Sequence, residues 1–215
     1  MVLATASAWN SQATQLWTVF PNPNLPLASV QLPFSYSSSA ELIGQNSQTG
    51  AVQLWQVGNN SFTQTDLGTQ SAVWKMVATA DFDGDRDLDL LWCNSQDSRL
   101  SLWQMNGSSL GQVIDLPVIT GLDWQVIAAA DFTKDTKVDL LWQHQTSGEL
   151  IVWEMNGATL QATTNLGYMA DLAWKVAGVA DFNQDGHLDM LWRHQTWGAN
   201  TIWQMNGLQW QQNID

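Results

Sequence analysis

Positive charge is scarce in this chain. Its 215 residues carry 7 Lys and Arg against 20 Asp and Glu, a formal net charge of −13. A surface of that sign repels phosphate backbones and anionic lipid, so no nucleic-acid partner is expected. Cysteine is nearly absent. Cys93 stands alone, which excludes an intrachain disulfide and a multi-cysteine metal site. No apolar run approaches the ~18 residues of a membrane-spanning helix, so no membrane insertion is expected. Residues 1–17 show neither the basic start nor the apolar stretch of a signal peptide. Glutamate is limited to Glu41, Glu149 and Glu154. There is no glycine-rich phosphate cradle, no His-Glu-x-x-His pair and no Gly-x-Ser-x-Gly nucleophile elbow. These absences point to a protein that is not an enzyme.

Tryptophan, by contrast, is abundant, with 14 residues. Its spacing sets the architecture. Trp74, Trp124 and Trp174 are 50 residues apart, as are Trp92, Trp142 and Trp192, and Trp103, Trp153 and Trp203. Between these anchors run WKMVATADFDGDRDLDLLW, WQVIAAADFTKDTKVDLLW and WKVAGVADFNQDGHLDMLW, followed by LSLWQMNG, LIVWEMNG and NTIWQMNG. A worn copy precedes them, since Glu41–Trp55 aligns with Asp139–Trp153 without a gap. Before that, Ala8 to Trp17 matches the second half of a unit. The expected organisation is one domain over 1–215, with units at 1–25 (half), 26–73 (degenerate), 74–123, 124–173 and 174–215.

Each unit reads as strand. Short apolar runs are separated by turn chemistry, and the first unit predicts strands at 74–80, 88–94, 100–105 and about 108–116. Asn106-Gly107, Asn156-Gly157 and Asn206-Gly207 predict two-residue hairpins with positive φ at both positions, a type I′ turn. Four short antiparallel strands per 50 residues describe a blade, so the fold class is all-β, a β-propeller of about five four-stranded blades. A parallel β-helix is the alternative, though its rungs are usually shorter. The first strands carry small residues (Ala78, Ala80, Ala128, Ala130, Gly178, Ala180), which suits a crowded axis. A fifth blade completed only by the N-terminal half unit lacks its inner strand. It leaves an exposed edge through which chains could assemble, or it marks a piece of a larger propeller.

Eleven of the twenty acids fall in three nine-residue windows, Asp81–Asp89, Asp131–Asp139 and Asp181–Asp189. Such crowding is repulsive unless a cation sits among the carboxylates. Positions 1, 3 and 5 can converge their oxygens, and position 9 returns an acid from the next strand. Calcium suits such a hard, irregular oxygen set. An EF-hand is excluded, because position 12 is Trp92, Trp142 or Trp192 where that loop needs an acid.

The repeated Ala-Asp-Phe-x-x-Asp-x-x-x-Asp core between strands resembles the FG-GAP, or VCBS-like, repeat family of integrin alpha-type propellers. The resemblance covers most of the chain. It implies calcium held by side chains 1, 3, 5 and 9 and by the carbonyl of position 7. Carried over, the first site is Asp81, Asp83, Asp85 and Asp89 with the Asp87 carbonyl. The third is Asp181, Asn183, Asp185 and Asp189 with the His187 carbonyl. The middle loop, Asp131, Thr133, Asp135 and Asp139, departs from the pattern. Thr133 replaces an acid, and Lys134 and Lys137 add positive charge, so it is expected to bind weakly or not at all, with lysine partly replacing the ion. Phe34–Ser39, the corresponding stretch of the worn copy, has lost the acids. The resemblance further implies a non-catalytic recognition module for a glycan or protein, placed outside the cell or at its surface.

Three histidines are present, His144, His187 and His194. His144 and His194 follow a repeat Trp by two residues, where the other units have Asn46 and Asn94, a series that fits a polar loop position better than a general base. Trp197 and Trp210 have no Trp counterpart in the neighbouring units. Trp197 lies in Arg193-His194-Gln195-Thr196-Trp197-Gly198, beside a cation and hydrogen-bonding groups. Trp197, Arg193, His194 and His144 are therefore the candidate ligand-binding residues, an indole face being suited to stacking on a sugar. The competing readings are a glycan-active hydrolase or lyase using the propeller as a scaffold, and a structural repeat spacer.

Overall fold

A computed structural model describes residues 17–21, 40–57 and 62–214. Among them there is no helix, and so none long and apolar enough to cross a membrane. Sixteen strands form four antiparallel four-stranded sheets. The first sheet holds β1 (Trp17–Pro21), β2 (Ala40–Asn46), β3 (Ala51–Val57) and β4 (Phe62–Thr69). The second holds β5 (Trp74–Ala80), β6 (Asp89–Asn94), β7 (Leu100–Asn106) and β8 (Ser109–Asp115). The third holds β9 (Trp124–Ala130), β10 (Asp139–His144), β11 (Glu149–Asn156) and β12 (Thr159–Tyr168). The fourth holds β13 (Trp174–Ala180), β14 (Asp189–His194), β15 (Asn200–Asn206) and β16 (Gln209–Ile214). Each sheet runs in chain order, so every connection within it is a simple return. These are propeller-type blades.

The N-terminal organisation differs from the expected half blade. The described residues form four sheets, and Trp17, expected to close a half unit, begins a strand that pairs with β2 (Trp17↔Asn46, Phe20↔Ile43). Segments on both sides of the expected boundary near residue 25 thus share one sheet. The Trp-Thr-Val-Phe run favours a strand, and it covers an edge of β2 that would otherwise be unpaired. Residues 8–16 and Phe34–Ser39 lie outside the described residues.

The hairpins also differ in detail. Asn156 pairs with Thr159 and Asn206 with Gln209, so the two turn residues are Gly157-Ala158 and Gly207-Leu208. Only the glycines have positive φ (58° to 59° for Gly107, Gly157 and Gly207). This is the Gly-first pattern of a type II′ turn, with Asn as the last strand residue. Ala158 and Leu208 carry a Cβ, which makes the second positive φ of a type I′ turn costly there.

The chain divides into two compact units. One comprises Val2–Trp74 with Asn106–Leu110, and the other Lys75–Met105 with Gly111–Asp215. In the second unit the middle strands β10 and β11 of the third sheet are buried on both faces, which explains their continuous apolar runs. Leu140, Trp142, Ile151 and Trp153 cluster with Phe82, Leu91 and Leu102. Leu141, Leu150 and Val152 on the other face cluster with Met190, Trp192 and Met205. Of the nine repeat tryptophans, Trp92, Trp142 and Trp192 are fully buried. Each is tilted against the third-strand Trp of its own sheet at 4.8 to 5.2 Å. The first strands β9 and β13 touch.

Candidate metal centre and rim

Each acid-rich window joins the first strand of a sheet to the second. Its acids are held mainly by backbone N–H groups of the same loop. Asp81 accepts from Gly84 (2.7 Å) and Arg86 (2.9 Å), Asp83 from Asp85 (3.1 Å), and Asp85 from Asp87 (2.8 Å). In the third window Asp181 accepts from Asp185 (3.1 Å) and Gly186 (2.7 Å), Asn183 from Asp185 (3.0 Å), and Asp185 from His187 (2.8 Å). The coil requires left-handed backbone, with Gly84 and Arg86 at φ 85° and 78°, and Gln184 and Gly186 at φ 62° and 85°.

Position 9 is different. Asp89 is buried, and its two oxygens accept from the N–H of Phe82 (2.8 Å) and of Met105 (2.9 Å). Asp139 does the same with Phe132 (3.0 Å) and Met155 (2.9 Å), and Asp189 with Phe182 (3.0 Å) and Met205 (2.9 Å). Each of these acids ties the loop to the third strand of its sheet. The sequence marks position 9 as an acid at a strand start, but only the fold reveals the Met N–H 16 residues onward.

In the first window Asp81, Asp83 and Asp89 bring one carboxylate oxygen each to within 4.8 Å of one another. Burial pushes the Asp89 carboxyl up to about 6 against its two backbone hydrogen bonds, and the charges of Asp83 and Asp85 add to the rise. Burial and the neighbouring Asp85 and Asp81 likewise raise Asp83. Three converging carboxylates are hard oxygen donors only, so the set fits calcium. Asp85 and Asp87 lie outside this trio. In the third window Asn183 takes position 3, and its amide donates to Asp185 Oδ2 (2.8 Å). The Asp185 carboxyl is held low, chiefly by the His187 N–H, then by Asn183, with His187 and Lys134 contributing charge. His187 Nδ1 is buried without a hydrogen-bond partner.

The middle window turns inward. Thr133 donates from its hydroxyl to Asp139 Oδ2 (3.2 Å), a bond that an acid at that position would not make. Asp131 accepts from Asp135 (3.1 Å) and Thr136 (2.9 Å), and Asp135 from Lys137 (2.8 Å). Lys134 does not fold into its own loop. With φ at 65° it reaches the third window, where Nζ lies 2.8 Å from the place a Cβ on Gly186 would occupy.

At the loop between the second and third strands, Asn46, Asn94, His144 and His194 do one job. Asn46 Oδ1 accepts from the N–H of Gln48 and Thr49, and Asn94 Oδ1 from Gln96. His144 Nδ1 accepts from the Ser147 N–H (3.2 Å), and His194 Nδ1 from the N–H of Thr196 and Trp197 (3.2 Å each). His194 is buried, and its Nε2 faces Asp171 at 3.1 Å. Trp197 is 74 % exposed and stacks parallel on His194, with ring centroids 3.9 Å apart and planes 8° from parallel. Arg193 is exposed beside it, one Nη 3.5 Å from the Cβ position of Gly198.

The fold and these loops define a class, an all-β repeat protein of bladed sheets with an acidic loop between first and second strands. Residues 81–142 and 131–192 match the FG-GAP-like repeat and together span just over half of the chain. The chain belongs to the FG-GAP-like repeat family. Among solved structures, a chain of the Photorhabdus luminescens Tc holotoxin pore aligns over 92 % of this chain with a TM-score of 0.53 and 16 % identity. The WD40 domain of SCAP from fission yeast aligns over 90 % with a TM-score of 0.45 and 10 % identity. This chain spans 11 % of the first and 43 % of the second. The first likeness is one of fold, and the second is too loose to carry an argument. No curated protein matches in sequence.

Proposed function

We propose that the chain is a non-catalytic, calcium-binding recognition module of β-propeller blades, acting outside the cell or at its surface on a glycan or protein. The observation that supports it most is the convergence of Asp81, Asp83 and Asp89 within 4.8 Å in a repeat of this family. Calcium at that point would balance the carboxylates of Asp83 and Asp89, which burial and neighbouring acids otherwise push toward the protonated form. The ion's role is structural, fixing the turn between β5 and β6 and hence the rim of the blade. Loops at that rim are where a rigid scaffold usually carries recognition.

Isothermal titration of metal-stripped protein with calcium tests the ion. We expect saturable binding, weakened on the order of tenfold or more by Asp83→Asn, since affinity follows the count of charged ligands. Absence of binding at millimolar calcium, in protein shown to be folded, removes the calcium reading. A glycan array run with calcium and repeated with chelator tests recognition. Specific binding lost with chelator supports a calcium-supported lectin, and no binding removes the glycan half of the reading.

A further inference from the structure

Two of the seven cations of this chain stand directly opposite each other. Lys175 on β13 pairs with Arg193 on β14 in the strand register. Like charges at facing positions destabilise a sheet. In a protein with a net charge of −13, an acid at either position would be the ordinary choice. Arg193 makes no ion pair among the described residues. Lys175 extends to the loop of the neighbouring sheet, where Nζ donates to Gln145 Oε1 at 3.1 Å. Asp171, which faces His194, is engaged by His194 Nε2 and by the N–H of Ala173.

Trp197 stands at the same rim. His194 covers one face of its indole and is itself held edge-on by Trp174 at 5.1 Å. Its Nδ1 accepts the Trp197 N–H, so the exposed ring is fixed before any ligand arrives. The equivalent loop of the third sheet has Ser147 there, and that of the second has Asp97. A fixed, exposed aromatic face, the Arg193 guanidinium against the next residue of its loop, and Lys175 opposite Arg193 in the strand register together suit a single ring that carries negative charge.

We propose that Trp197, Arg193, Lys175 and Gln145 form a binding site for an acidic sugar, a uronic-acid type residue. Its C–H face stacks on Trp197, and its carboxylate takes hydrogen bonds from Arg193 and Lys175. His194 is a positioning residue. The proposal rests on the recognition reading above and narrows its ligand class.

The test uses the full chain with calcium. A glucuronate-containing tetrasaccharide and its carboxyl-reduced counterpart are titrated while tryptophan fluorescence and binding heat are recorded. We expect the acidic probe to bind and the reduced probe to bind at least tenfold more weakly. Arg193→Gln and Trp197→Ala should each weaken the acidic probe at least tenfold, with far-UV spectrum and thermal midpoint unchanged, and Trp197→Phe should retain part of the affinity. Equal binding of the two probes overturns the proposal, as does acidic-probe binding that survives both substitutions. If the acidic probe fails while the array shows a neutral glycan or a defined peptide bound, this site is overturned and the recognition reading stands. If an acidic peptide binds through Arg193 and Trp197 in place of the sugar, the ligand class is overturned.

Discussion

At the scale of the residue, position 9 of each acidic loop does two things at once. Asp89, Asp139 and Asp189 each accept two backbone N–H groups from separate parts of the sheet. The middle loop isolates that role. Asp139→Asn offers one acceptor oxygen and an NH2 that must face a buried N–H, so it should destabilise the protein by about 1–3 kcal/mol. Urea unfolding in chelator measures this, and an unchanged midpoint would show that the pin carries no weight. Asp89 supplies a pH test. Its folded carboxyl sits at about 6 against an ordinary value of 3.8. Between those values the folded state binds more protons than the unfolded one, so this group makes stability fall as pH rises through the window. Burial gives Asp139 the same direction. Asp171 and Asp185 are lowered and act the other way, losing their contribution as pH falls below the ordinary carboxylate range. In chelator the thermal midpoint should drop from pH 4 to pH 6.5. Calcium, which favours the ionised form, should flatten or invert the trend. A slope that is the same in Asp89→Asn would assign it to other groups.

At the scale of the element, the β-turn loops between second and third strands share one form. The N–H of Gly50, Ser98, Gly148 and Gly198 donates to the carbonyl four residues back, and all four have φ between 58° and 76°. A Cβ on Gly148 would lie 2.0 Å from the Met169 carbonyl oxygen, which Met169 places there while donating its own N–H to Gly148. Gly148→Ala should therefore cost about 2 kcal/mol or more, from strained φ and displaced backbone together. Ser98→Gly, at a site already tolerating a side chain, should stay within about 1 kcal/mol. Thermal unfolding of both variants checks the contrast, and equal effects would refute it. The strands themselves were legible in sequence because each is a short apolar run between turn residues. The expected 74–80, 88–94, 100–105 and 108–116 differ from β5 to β8 by one residue at most. The turn type was not legible, because Asn-Gly fits two registers and only the pairing of Asn156 with Thr159 decides between them. The use of Trp17 in β1 was hidden for another reason. Similarity to a third-strand segment says nothing about which edge a strand will cover. The acid loops were legible as a pattern, whereas the Lys175–Gln145 bond joins residues 30 apart in different sheets and has no local signal.

At the scale of the whole molecule, the charge of −13 and the acidic loops make one prediction together. The three windows belong to the unit of Lys75–Met105 and Gly111–Asp215. Two bound calcium ions would cancel about four of the negative charges at the points of greatest crowding. A site filled to 100 times its dissociation constant adds about 2.7 kcal/mol. Chelation should lower the thermal midpoint, and hydrogen exchange should locate the change. Amides of 81–89 and 181–189, with β6 and β14 behind them, should lose protection, while β3 and β4 of the other unit should not. Sodium chloride separates ligation from simple screening. At 0.5 M it shortens the Debye length to roughly 4 Å and relieves repulsion among exposed carboxylates. It cannot replace the simultaneous bonds from Asp81, Asp83 and Asp89 to one ion. Salt alone should therefore recover only part of the midpoint lost to chelation and leave exchange fast in the first window. Full recovery of both by sodium chloride would mean that the loops need only a weaker mutual repulsion, and the stapling role of calcium would fall. Recovery of both by calcium at a few equivalents, at the same ionic strength, would fix that role to the three converging carboxylates.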